Sequence, residues 1–595
     1  MNQPAVPFHK LYFLLFIFLL AVPGARAQET STLYSQSSEV HPLILQLNAD
    51  EGSLQRFYFM ENSPEYLQRF QSLYKEYQQK LNSIDFQELN TGARVDYLLL
   101  KRELESKIKS LELALNEYEQ VKQWIPFAEK IYALEEPRRR GANADGKLVA
   151  AELNRLEKEI IKVLAALEQQ ERLDRDLAYR LYRVISDLQE GLKSVYKFYY
   201  DYDPDFTWWV PEPYKRVDAL LTTYADLADK KGKVPAAGQK VDKSGIVGNP
   251  IGREELIRQL QYEMIPYTPE ELIEVANREF AWCDREMLKA SRELGFGDDW
   301  HKALEKVKNS YVPAGEQPEA MMELYSQSVA FLKQHDLITI PPLAEETWRM
   351  QMMSPERQLV NPFFLGGEAI IISYPTSTMT HEQKLMSMRG NNPHFSRATV
   401  HHELIAGHHL QMFMNDRYKA YRNFYTPFWV EGWALYWEML LWDKEFPRSP
   451  EDRIGMLFWR MHRCARIIFS LNYHLDKWTP QECIDFLVER VGHERANAEG
   501  EVRRSFEGRY GPLYQIAYMM GGLQFYGLHK ELVESGKMTD KQFHDAIMQE
   551  NSMPVEMVRA ILTNEKLPQD YKTSWKFYGT DLAPAESGKR KKAGK

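Results

Sequence analysis

A mainly helical chain is expected, with a small β-sheet beside a histidine-bearing helix and a helical N-terminal lobe enclosing a cleft. Three features predict it. Leucine and isoleucine recur at spacings of three and four through much of the first third of the sequence. One Ile-rich strand signal, Glu368-Ala-Ile-Ile-Ile-Ser-Tyr374-Pro375, is closed by proline. Between the strand and the C-terminus lies His401-His402-Glu403-Leu-Ile-Ala406-Gly407-His408-His409, with four of the chain's 15 histidines. The composition, 44% hydrophobic and 27% charged over 595 residues, is that of an ordinary globular protein with several domains or one large lobed body.

Residues 1–27 read as a signal peptide. His9 and Lys10 precede an apolar run from Leu11 that is short for a bilayer span, and Gly-Ala-Arg-Ala27 supplies an Ala-x-Ala exit. Cleavage near Ala27 predicts an exported protein, periplasmic or secreted, with no transmembrane span thereafter. No cysteine follows the apolar run, which argues against a lipid-modified N-terminus.

Residues 28–230 are expected to form the helical lobe. Leu100, Leu104, Ile108, Leu111 and Leu115 form one stripe, and Leu153, Leu156, Ile160, Leu164 and Leu167 a second. Leu173, Leu177, Leu181, Val184, Leu188 and Leu192 form a third. Such stripes make a bundle core. The aromatic stretch 198–209 would either line a cleft or pack this lobe onto its neighbour. Residues 231–250, rich in Gly, Pro and Lys, read as a linker. A second lobe is expected over 251–580, with a helix starting at Thr268-Pro269 and running to about 293. The Ile-rich strand would lie near the histidine helix, where a strand edge can pair with an extended peptide, bringing Tyr374 to the substrate. The alternative is a buried structural hairpin. Residues 581–595 end in a basic run and read as a solvated tail.

A formal charge of -9 argues against nucleic acid as a partner. Cys283, Cys464 and Cys483 make no zinc knuckle and at most one disulfide.

The histidine stretch carries the chemistry. A zinc peptidase helix reads H-E-x-x-H, which puts two imidazoles on one face with the Glu beside them. Here the position four after His402 is Ala406, and His408 is the next histidine after Glu403. Six steps turn an ideal helix by about 600° and climb about 9 Å. His402 and His408 can therefore share one ion only if the helix opens between them, and Ala406-Gly407 is the place for it. His409 returns to the face of His402, but at about 10 Å along an intact helix it is too far away. The third ligand is expected from Phe428-Trp-Val-Glu431-Gly-Trp-Ala-Leu-Tyr-Trp-Glu438. Glu431 there sits in an apolar helical run, where an unpaired carboxylate is costly and a cation relieves it. Glu438 is the next carboxylate along, and an arginine partner is the alternative to a metal.

The segments HHELIAGHHLQ and EGWALYWE resemble the paired motifs of the bacterial family catalogued as domain of unknown function 885 (DUF885). So do Asn249-Pro-Ile-Gly-Arg-Glu-Glu-Leu, Pro512-Leu-Tyr-Gln-Ile-Ala-Tyr518-Met-Met-Gly521 and Phe543-His544-Asp545. The family usually has proline where this chain has Ala406. The resemblance implies a zincin-like metallopeptidase fold with a glutamate zinc ligand, and one Zn2+ held by His402, His408 and Glu431. Glu403 would be the general base and Tyr518 the donor to the oxyanion, with Tyr510 and His544 as rivals. Arg503 and Arg504 could bind a substrate carboxylate. The expected function is zinc-dependent cleavage of short peptides in the cell envelope. Two alternatives remain: a metal-dependent hydrolase of a non-peptide amide or ester, and a non-catalytic peptide-binding protein.

Overall fold

Short polar residues followed by proline start the helices that build the second half of the chain. The side-chain oxygen accepts an orphan backbone N–H, and the proline fills a position whose own N–H would have no partner. Thr268 starts α1 (Pro269–Glu293) with a reciprocal Thr268–Glu271 capping box, as the sequence predicts. Asn392 starts α2 (Pro393–Glu403), accepting from the His394 and Phe395 N–H at 3.1 Å. The short α3 (His408–Asn415) follows directly. Thr426 starts α4 (Pro427–Asp443) and Ser449 starts α5 (Pro450–His474). Two further helices, α6 (Arg495–Phe506) and α7 (Tyr514–His529), complete the set around the histidines.

The computed structural model describes residues 38–234, 242–358, 363–507 and 510–579. The signal peptide, the basic tail and the centre of the 231–250 linker lie outside the described residues. The described chain is mainly helical. Among the described residues no helix is long and apolar enough to cross a membrane.

The leucine stripes are core, but the expected 28–230 lobe is not one packing unit. Val40 through Leu104 pack in the same core as residues from Met264 to Leu567. Only Tyr118 through Ala228 form a core of their own. The 31-residue helix Thr91–Val121 runs from one to the other. A buried ionic tie fastens the first part to the second half: Arg422 Nε donates to Asp96 Oδ1 at 2.6 Å, and its Nη1 reaches Glu550. The aromatic stretch 198–209 does not line the cavity beside the histidines. Tyr199 and Phe206 pack inward while Tyr202 and Trp208 face solvent.

β1 (Arg349–Met352) and β2 (Ala369–Ile372) pair in parallel, Met350 opposite Ile370. Sequence reasoning leaves β2 open as either a free strand edge or a buried structural strand. The far side of β2 is taken by Leu365, whose N–H and C=O both bond Ile371. With β1 on one side and Leu365 on the other, β2 is a buried structural strand. Tyr374 is tied by its N–H to Gln358 and sets its hydroxyl near Gly315, so it is not a cavity-lining residue.

α4 is apolar around its whole circumference and is therefore buried on all sides, with Trp429, Trp433 and Trp437 inaccessible. It crosses α7 at a glycine contact. A Cβ on Gly432 would come 2.5 Å from the Gly521 backbone, and one on Gly521 would come 2.1 Å from the Phe428 carbonyl. That approach sets Glu431 of α4 against the tyrosines of α7. All three cysteines are buried free thiols.

Candidate metal centre

The helix opens where the sequence allows it. α2 ends at Glu403 and α3 begins at His408, with Leu404 and Gly407 in non-helical conformations. The Gly407 N–H bonds back to the His401 carbonyl at 2.8 Å. A Cβ at position 407 would sit 1.9 Å from the His402 carbonyl oxygen, so only glycine fits. Ala406 is buried, and its carbonyl accepts from Trp433 Nε1 at 2.9 Å.

The opening brings His408 round to His402, their rings edge to face with centroids 4.9 Å apart. Glu431 Oε2 lies 3.5 Å from His402 Nε2 and 3.3 Å from His408 Nε2. Ligand atoms about 2.0–2.1 Å from a tetrahedral zinc stand roughly 3.4 Å from one another, so this spacing fits the ion. Glu431 Oε2 is buried and has no hydrogen bond among the described residues, while Oε1 accepts from the Tyr514 hydroxyl. An orphaned, buried carboxylate oxygen between two imidazole nitrogens is a fit to a cation. Glu403 stands beside them, its carboxylate within 4.8 Å of both rings. Gly366 presses against it: a Cβ there would meet Glu403 Oε2 at 2.2 Å.

His409 is excluded as the second ligand, because its Nε2 bonds the Ala344 carbonyl at 2.9 Å on the other side of the helix. Glu438 is not on the ligand side either. It takes His402 Nδ1 at 2.7 Å, the nitrogen opposite the site, and fixes that ring with Nε2 inward. Arg463 Nη2 stands behind Glu438 at 3.4 Å.

The charges agree with a cation site. Burial opposes charge on His402, yet the Glu431 and Glu438 carboxylates facing its two nitrogens raise it to about 9. Burial likewise opposes charge on Glu431, but His408 and His402 hold it well below the usual carboxylate range. Glu403 is pushed up by burial, with the two histidines acting against the rise. Burial also raises Tyr514 and Tyr518, which keep their protons as donors.

A cavity of about 260 Å³ opens onto these groups, lined by residues between Arg357 and Tyr518. The Tyr118–Ala228 core adds nothing to its wall, so the expected cleft under an N-terminal lobe is instead a pocket inside the second half. Tyr518 and Tyr510 line it, Tyr518 lying nearly parallel to His402 with its hydroxyl donating to Tyr514 at 3.3 Å. Two expected residues fall elsewhere. His544 is fully buried behind α4, its Nδ1 at the Leu337 carbonyl and its Nε2 at the Tyr436 hydroxyl. Arg503 points to the surface, bonded to Glu507 and the Ser244 carbonyl, while Arg504 lines the cavity. Sequence reasoning missed Tyr514, Arg463, Arg466 and Glu501. The signals were present: Tyr510, Tyr514 and Tyr518 recur every fourth residue, and Arg463 and Arg466 share one face of their helix with Trp459.

Comparison with known proteins gives the family and the fold. The model of the family described as "Bacterial protein of unknown function (DUF885)" matches residues 58–562. The chain belongs to that family. A solved structure from Shewanella oneidensis, a candidate lipoprotein of unknown function, is similar with a TM-score of 0.61 at 14% identity. The match covers 88% of this chain and 99% of that one. A candidate lipoprotein from Colwellia psychrerythraea is similar with a TM-score of 0.57 at 13% identity, over 88% and 98%. At these identities the likeness is one of fold. No curated protein matches the chain.

Proposed function

We propose that this DUF885 protein is a zinc-dependent peptidase of zincin type, acting on short peptides outside the cytoplasm. One observation carries the reading: His402 Nε2, His408 Nε2 and Glu431 Oε2 converge at 3.3–3.5 Å beside the buried Glu403. Two imidazoles and a carboxylate make a catalytic zinc set with a position left open. Zinc held by these residues supplies Lewis acidity, polarising a scissile carbonyl and lowering the pKa of a water from 15.7 to about 7.

The chain's own groups do the rest. Glu403, made more basic by its burial, takes the proton of the attacking water and passes it to the leaving amine. Glu438 holds His402 in the tautomer that points Nε2 inward. Tyr514 fixes Glu431 through Oε1. Tyr518 turns its hydroxyl from Tyr514 to the carbonyl oxygen as negative charge develops there. The Ala-x-Ala exit at Ala27 supports export, and the candidate-lipoprotein neighbours agree with it.

The test is elemental analysis of the purified mature protein dialysed against zinc, followed by a peptide-library digest. We expect about one zinc per chain, lost in Glu431→Ala. Glu403→Gln should keep the zinc and lose hydrolysis by about 10²–10⁴-fold. A zinc-free wild type, or full activity in Glu403→Gln, would overturn the reading.

A further inference from the structure

Besides the histidines and Glu431, the cavity wall carries a cluster of arginines. Arg463 and Arg466 lie on the same face of α5 as Trp459, and Arg504 of α6 joins them. Arg463 is 5% exposed and Arg466 3%. Glu501 takes Arg466 Nε at 2.7 Å and Arg504 Nε at 2.8 Å. Glu438 faces Arg463 at 3.4 Å but is committed to His402 at 2.7 Å. Glu501 thus faces both Arg466 and Arg504, and Glu438 is shared between Arg463 and His402. Among the described residues, Arg466 Nη1 and Arg463 Nε are buried with no hydrogen-bond acceptor. Buried guanidinium N–H groups without acceptors are costly, and a planar fork of donors matches a carboxylate. Arg466 is further held by stacking, its Cζ 4.4 Å from the centroid of the Tyr518 ring.

We propose that Arg466, with Arg463 beside it, receives a carboxylate of the substrate. This deepens the peptidase reading and rests on it. A cavity of about 260 Å³ is at the small end for ligand sites. The carboxylate must then lie within about one or two residues of the bond that is cut. A peptide offers it from two sources: its C-terminus, which makes the protein release short C-terminal fragments, or the side chain of Asp or Glu near the cleavage point.

The experiment is calorimetric titration of the zinc-loaded Glu403→Gln protein, which binds without turnover. The probes are Ala-Ala-Phe as free acid and as amide, and N-acetyl-Ala-Asp-Phe amide against its Asn counterpart. Under the proposal the carboxylate member of one pair binds at least tenfold more tightly. That preference disappears in a second protein carrying Arg466→Met as well, and is partly restored by Arg466→Lys. Preference within the first pair assigns the carboxylate to the C-terminus, and preference within the second pair to a side chain. Equal binding within both pairs, no binding of any probe, or a preference that survives Arg466→Met overturns the proposal. Zinc content and a melting curve for each variant separate misfolding from loss of the subsite. Digestion of the same peptides by the wild type tests the peptidase reading separately. Selective binding without cleavage would leave the subsite standing and remove the peptidase.

Discussion

Gly407→Ala tests whether the opened helix makes the metal centre. The added methyl carbon would lie 1.9 Å from the His402 carbonyl oxygen and 2.5 Å from that of His401. Both atoms are backbone at the end of α2, so no rotamer change relieves the clash. Overpacking of this kind costs about 1–3 kcal/mol when side chains can yield, and we expect at least the upper end here. The relief available is to move the end of α2 away from the start of α3, which separates His402 from His408. Perturbing groups that merely orient ligands weakens metal binding about 10–100-fold, so separating two ligands should cost at least about 100-fold. At zinc a thousand-fold above the wild-type Kd, binding stabilises the fold by about 4.1 kcal/mol. A hundred-fold weaker site retains only about 1.4 kcal/mol at the same concentration. Chelator competition reads the affinity, and denaturant melts with and without zinc read the stabilisation. A Gly407→Ala protein with wild-type zinc affinity would refute the reasoning.

Three further outcomes follow from the same packing. Glu438→Gln weakens zinc binding by about 10–100-fold, because His402 loses the carboxylate that orients it; chelator competition checks this, and unchanged affinity would mean Glu438 does not orient the ligand. Asp96→Ala destabilises the protein by about 3 kcal/mol, the low end for breaking a buried ion pair because Glu550 still meets Arg422, read from urea midpoints. Burial opposes the charge of Glu501, but Arg466 and Arg504 lower it to about 2. With an unfolded value near 4.3, its stabilisation is complete above about pH 4.3 and is lost as pH falls towards 2. Glu501→Gln should therefore be less stable by on the order of 3 kcal/mol at pH 7, with the gap closing below pH 4. A gap that stays constant down to pH 2.5 would contradict this.

The convergence of His402, His408 and Glu431 was legible because it follows from short-range constraints. A Glu in an apolar helix needs a partner, and two histidines six apart need a break that Gly407 permits. That His408 rather than His409 comes round to His402 was legible for the same reason. Tertiary placement was not. His544 sits in a family-like motif, yet which side of α4 it faces depends on how the C-terminal helices wrap. Arg503 and Arg504 are neighbours in sequence, and only the orientation of α6 decides which one reaches the cavity. The choice between a free and a covered β2 edge was open because Leu365 is not in a regular strand and gives no periodic signal. The lobe boundary failed similarly: the stripes show that helices have a buried face, not which helix covers it.

The tie between Asp96 and Arg422 has a consequence for how the chain reaches this state. The two residues are 326 positions apart, which at about 5–20 residues per second is roughly 15–65 s of synthesis. Through that interval the helices from Val40 to Leu104 have emerged with apolar faces whose partners do not yet exist. The Tyr118–Ala228 bundle, by contrast, is complete as soon as it is made. The chain should therefore acquire its middle first and its beginning last, and the early helices need protection until the C-terminal third arrives. Trimming the chain from its C-terminus would then unfold its N-terminus.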